Sequence, residues 1–226
     1  MRKQQQGFTL IEIAIVLVII GLLLGGVLKG QELIQNARVR NVITQQDGVK
    51  AAFFGFQDRY RGIAGDYLLA SATANIPGAG GTCGGNGNGL IDAVSGGVAE
   101  SICAWYHLSR AGFISGNFNG VGATAGAADA NTNNSPANPF GGLMQIVWDA
   151  IYSPVAGATA VHNIKTGSNI PATLLAEIDR KIDDGLPNTG NFRFSTWGGA
   201  DATICTPAAV WAITSTAAQC GGASLF

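Results

Sequence analysis

The stretch Gln4–Gly26, QQQGFTLIEIAIVLVIIGLLLGG, decides how the rest of the chain is read. From Phe8 to Leu28 the residues are almost all apolar. Twenty-one residues make about 31 Å of helix, close to the roughly 30 Å hydrocarbon core of a bilayer. Arg2 and Lys3 precede the run and predict that residues 1–7 stay on the cytoplasmic side. A secretory signal peptide has a small-residue cleavage site after its apolar run. Here Gly7 comes before the run, and no A-x-A-like site follows it.

Glu12 separates this segment from a plain anchor. An acid within a membrane span costs a few kcal/mol unless it is paired or neutralised. In the first helical turn it gains from the helix dipole. A cation at the same depth would add more, and cleavage after Gly7 would create one, the α-amine of Phe8. Within one chain the amine and Glu12 lie a turn apart. Between copies stacked with an axial offset the same charges would pair and set the register.

Composition narrows the classes. Of 226 residues, 47% are hydrophobic and only 12% are charged. The charged share is about half the usual one, so Asn, Gly, Ala, Ser and Thr must supply the surface. A net charge of −1 does not indicate nucleic acid as a partner. Cys83, Cys103, Cys205 and Cys220 form an even set without a CxxC pair, and there are two histidines. Two disulfides in an oxidising compartment are expected, not zinc. No HExxH, Walker or GxSxG pattern occurs, which leaves no catalytic constellation and predicts a non-enzyme.

GFTLIE at Gly7–Glu12, behind a short leader with two basic residues, resembles the type IV prepilin signature. The resemblance implies that a prepilin peptidase cuts between Gly7 and Phe8 and N-methylates Phe8. It implies a precursor held in the inner membrane by one span, then extracted by a pilus assembly platform into a helical homo-oligomer. Glu12 would neutralise the Phe8 amine of a neighbour there. A pseudopilin of a type II secretion system, remaining periplasmic, and a minor or adhesive pilin are the alternatives.

Past Lys29 the pattern turns polar and amphipathic. Val39, Val42, Ile43, Val49, Phe53, Phe56 and Tyr60 recur at spacings of three, four or seven, and no proline interrupts Phe8–Tyr60. This predicts one helix of about 53 residues, near 80 Å long. Its parts are a leader (1–7), a membrane or filament-core helix (8–28), an amphipathic half (29–61) and a head (62–226). Gly21, Gly25, Gly26 and Gly30 admit two readings, local unwinding or close helix packing.

In the head, glycine-rich Gly62–Gly97 breaks the helix. Val98–Ala111 reads as a helix, Gly116–Gly142 as a surface loop and Leu143–Tyr152 as a buried strand. Ala172–Asp184 reads as a helix, and Phe192–Trp197 and Ala209–Thr214 as strands. This is an α+β plan, in agreement with the pilin fold, a long helix on a small antiparallel sheet. GDY near Asp66, GNGNG near Asn86, E-x4-W-x-HL at Glu100–Leu108 and EIDRKIDDGLPNTG at Glu177–Gly190 look like motifs of larger Gram-negative pilin-like proteins and read as structural. Asp183 and Asp184, ill placed at a helix C-terminus, are expected to bond turn or neighbouring amides.

Among the three cysteine pairings, Cys83–Cys103 and Cys205–Cys220 are favoured because both are local; the others stay open. The second resembles the disulfide-bounded C-terminal loop of pilins. GGNGNGLID leaves calcium open, with Asn86, Asn88 and Asp92 as ligands, although Gly84 replaces the leading acid of a calcium loop. A turn with Asn in left-handed positions explains the segment more cheaply. No other cofactor is expected. His107 and His162 read as structural, as does the aromatic cluster Phe53, Phe54, Phe56, Tyr60 and Tyr67. Arg59 and Arg61 are too few for a nucleic-acid patch.

Overall fold

The computed structural model describes residues 10–81, 83–92, 94–95, 97–122, 129–152, 158–214 and 218–226. Two units divide the chain, one up to Arg38 and one from Val39 to Phe226.

Helix α1 runs Leu10–Tyr60, 51 residues with Glu12 in its first turn and Arg59 in its last. Phe8 and Thr9, the first residues of the expected helix, lie outside the described residues. In the first unit the apolar side chains from Leu10 to Ile34 are exposed. This is the helix, among the described residues, that is long and apolar enough to cross a membrane. The helix is continuous through Gly21, Gly25, Gly26 and Gly30, and a Cβ at each would meet open space. Lys29 and Glu32 pair at 2.7 Å where polar sequence begins.

In the second unit α1 turns amphipathic. Val39, Val42, Val49, Phe53 and Phe56 are buried, as the spacing predicts. Gln46 and Ala52 share that face. Arg61 ends the helix in the left-handed conformation (φ 54°), its N–H donating to the Gln57 carbonyl at 2.9 Å.

The other elements follow in chain order. They are α2 Leu69–Asn75, β1 Val94–Ser95, β2 Val98–Ala99, α3 Glu100–Arg110, β3 Gln145–Asp149, β4 Val161–Lys165, α4 Ala172–Ile182, β5 Phe192–Phe194, α5 Ala202–Cys205, a 3-10 turn at Pro207–Ala209 and β6 Gly222–Leu225. Strands β3, β4, β6 and β5 lie side by side in that order, all antiparallel; β1 and β2 form a separate ribbon. The architecture is the expected α+β one, a long helix on a small antiparallel sheet.

Register explains the two faces. Ile146, Ile164, Ser224 and Phe192 form one row across the sheet, each paired with the next. Side chains alternate between faces, so this row shares one. Ile146 and Ile164 join Val49, Phe53 and Phe56 of α1 and Trp105 and Leu108 of α3 in one core cluster. Phe192 and Phe194 join Val39 and Val42 of α1, Leu175 and Ile178 of α4, and Trp211 in another.

Several elements differ from expectation. Ala209–Thr214 is not a strand. Ala208 and Ala209 take positive φ (52° and 62°), and Trp211 is held by a side chain of α4, so the segment cannot run extended into the sheet. The strand beside β5 is the glycine-bearing β6, where no element is expected. Gly222 is needed there because a Cβ would lie 2.4 Å from the Phe192 ring. Strand β4 and helix α2 fall where no element is expected. Within 116–142 the described parts hold no helix or strand, but Asn134, Ser135 and Asn138 are buried, so the segment is not wholly surface. Asn138 donates to the Thr166 and Ser168 carbonyls at 2.8 and 3.1 Å and accepts from Phe140 and Gly142.

Candidate functional site

Glu12 sits in the first turn of α1, where a carboxylate is favoured by the helix dipole. Gly7 and Phe8, the expected cleavage pair, lie outside the described residues.

The head brings three separate sequence motifs into one node. Asp66 is buried and accepts from the Gly87 amide at 2.6 Å, the Asn88 amide at 3.3 Å and the Gly89 amide at 2.7 Å. Glu100, at the start of α3, accepts from the Asn86 amide at 3.0 Å and the Asp92 amide at 3.1 Å. Asn86 and Asn88 fold back on the amides two residues ahead of each, at 2.9 and 2.8 Å. Backbone amides thus converge on two carboxylates, and the Asn carbonyls serve as turn acceptors. Close approach requires glycine: a Cβ on Gly85 would lie 2.1 Å from the Asp66 backbone. Of the calcium candidates, Asn86 and Asn88 spend their side-chain oxygens on Asx turns. The Nδ2 of Asn88 lies 3.4 Å from the carboxylate of Asp92.

His107 completes the node. The Gly65 amide donates to Nδ1 at 3.0 Å, and Nε2 lies 3.1 Å from the Cys83 carbonyl. Nδ1 is therefore the acceptor and Nε2 carries the proton. Burial pushes the imidazole down to about 4, so it is neutral at pH 7. The ring ties the loop to α3 beside the Cys83–Cys103 disulfide. His162 lies in an aromatic group with Trp148, Phe53 and Phe226, and burial lowers its pKa.

A second node surrounds the end of α4. Asp179 is fully buried; it accepts from Trp211 Nε1 at 2.7 Å and the Gly185 amide at 3.1 Å. Asp183 accepts from the Asn191 and Phe192 amides, the latter at 2.7 Å, and Asp184 from the Leu186 amide at 2.8 Å. The two acids that end α4 thus bond to neighbouring backbone. Desolvation raises Asp179 to about 6 despite its two donors. Trp211 belongs to the loop closed by the Cys205–Cys220 disulfide, so this bond anchors that loop to α4.

Two pairings escaped the sequence reading. On the far face of the sheet, Lys165 pairs with Asp149, which also accepts from Asn163 at 3.0 Å. Lys165 is 2% exposed and lies 5.7 Å from the centre of the Trp197 ring. Trp211–Asp179 is the other. Both join residues distant in the chain, and nothing in local periodicity marks them.

Residues 2–28 match the family model described as the prokaryotic N-terminal methylation motif. That motif, together with a long N-terminal helix laid on a small antiparallel sheet, supports a type IV pilin-like class. A leader of this kind implies processing by a prepilin peptidase and a membrane-anchored precursor. It belongs to a structural motif and not to an enzyme family. The match ends at residue 28, and no curated protein and no solved structure matches the chain. Beyond the match, the head is built around the Asp66–Glu100–His107 node and the Asp179–Trp211 bond.

Proposed function

We propose that this chain is a structural subunit that polymerises into a type IV pilus-like filament after cleavage between Gly7 and Phe8 and N-methylation of Phe8. The observation that carries the reading is the exposed apolar run of α1 with an acid in its first turn, inside a methylation motif. A membrane holds the run before assembly, and other copies of the helix cover it in the fibre. Lipid tails are as apolar as leucine, so what favours the fibre is close packing of side chains and not escape from water. Glu12 supplies register by neutralising the Phe8 amine of an adjacent copy. The precursor resides in the inner membrane and the fibre outside the cell. A non-catalytic head is in keeping with the ring nitrogens of His107 being engaged by backbone and with the carboxylates of Asp66 and Glu100 accepting backbone amides.

The Glu12→Val variant tests this. It should insert in the membrane and form no filaments; normal fibres from it would overturn the register role. Shearing cells separates the pilus from a type II secretion pseudopilus, which stays with the cells. The long Gly/Ala/Asn-rich segment 116–142 favours the pilus.

A further inference from the structure

A cleft of about 690 Å³ opens between the last two turns of α1 and the Asn86–Gly89 loop. Its volume falls in the roughly 300–1,000 Å³ range of small-molecule sites. One wall is preorganised: Asp66 gathers the amides of Gly87, Asn88 and Gly89, so the loop has no ordering to undergo on binding. The other wall carries Phe54, Gln57, Asp58 and Arg61, with Tyr67 and Leu68 between the two.

The chemistry of these groups excludes most ligands. Arg61 and Asp58 lie 3.4 Å apart, both largely exposed, and their charges cancel. An anion such as phosphate or nucleic acid gains nothing from such a pair, nor does a metal ion. The carboxylate of Asp66 is occupied by amides. What remains is a guanidinium donor, a carboxylate acceptor and the amide of Gln57, which does both. Beside them Phe54 is 51% exposed and Leu68 50%. Planar hydrogen-bonding groups next to half-exposed apolar surface suit a molecule with alternating hydroxyl edges and C–H faces. Arg61 adds a second indication. Its φ of 54° is a conformation that glycine adopts without strain, yet the position holds a long side chain directed to this cleft.

We propose that this cleft binds a short neutral saccharide, its C–H face against Phe54 and Leu68 and its hydroxyls on Gln57, Asp58 and Arg61. The site lies within the second unit, between the end of α1 and the head, and does not depend on polymerisation. The full-length chain in detergent micelles is applied to a panel of immobilised neutral oligosaccharides built from hexose and N-acetylhexosamine units, with sialylated and sulfated ones alongside. Saturable binding to neutral members is expected. Phe54→Ala, Gln57→Ala and Arg61→Gly should each weaken it about tenfold or more, and Lys181→Ala should leave it unchanged. Arg61→Gly should melt at or above the parent temperature, so loss of binding there is not loss of fold, whatever Phe54→Ala does. No binding to any neutral saccharide, binding confined to acidic ones, or neutral binding indifferent to Arg61→Gly and Gln57→Ala would overturn the proposal.

Discussion

Trp211 donates its indole N–H to the fully buried carboxylate of Asp179 across 2.7 Å, joining the loop bounded by Cys205 and Cys220 to helix α4. This bond sets the first prediction. Desolvation raises Asp179 from its ordinary 3.8 to about 6. Between those values the folded chain holds more protons than the unfolded one. By linkage this group's contribution to stability is therefore full below about pH 4 and falls as pH rises through 6. The span is on the order of 1–3 kcal/mol. Asp183 and Asp184 add repulsion in the same direction. Asp179→Asn should remove this part of the slope. Urea unfolding at pH 4, 5, 6 and 7 on both proteins checks it; identical pH dependence would contradict the assignment.

The Lys165–Asp149 pair should be asymmetric under mutation. Asp149→Ala leaves an ammonium at 2% exposure without its counter-charge, a loss of about 3–5 kcal/mol. The double variant Lys165→Met with Asp149→Leu should recover most of that, because no charge then remains buried. Chemical unfolding of the two variants is the measurement. A double variant as unstable as the single one would show that the damage comes from packing.

Asp66→Ala strands the amides of Gly87, Asn88 and Gly89. Such groups lose about 1–3 kcal/mol each when left unsatisfied in a buried place, and here water reaches the loop from one side. A net loss of about 2–3 kcal/mol is expected, with faster amide exchange confined to residues 84–92. Exchange rates unchanged at those amides would show that the carboxylate does not organise the loop.

Gly7→Ser should block leader removal. Mass spectrometry of the protein from cells should find a methylated Phe8 at the N-terminus of the parent and an intact leader on the variant. A variant that still begins at Phe8 would move the cleavage site.

The long helix and the α+β class were legible because they depend on periodicity and on the absence of proline, which are local. Val39, Val42, Val49, Phe53 and Phe56 mark the buried face of α1 by spacing alone, and the prepilin motif is read directly from Gly7 to Glu12. The elements of the sheet were less legible. The residues Ala209–Thr214 look extended, but their path is set by Ala208 and Ala209 at positive φ and by the bond to Asp179. Strand β6 carries no strand signal in its glycine-led sequence, and a Cβ at Gly222 would collide with the Phe192 ring.

The head motifs divide the same way. GDY, GNGNG and E-x4-W-x-HL could each be picked out as structural, but their meeting at one node could not. Glu100 falls inside the helix read at Val98–Ala111; only the fold brings the amides of Asn86 and Asp92 to it. Sequence alone determined the long helix and the two longer helices of the head, which face of the long helix is apolar and what signal the N-terminus bears, since neighbours along the backbone carry that information. Tertiary structure decided which carboxylate meets which donor and which glycine must stay small. Those outcomes depend on groups well separated in the chain arriving within hydrogen-bond distance of each other, with burial then adjusting their charge.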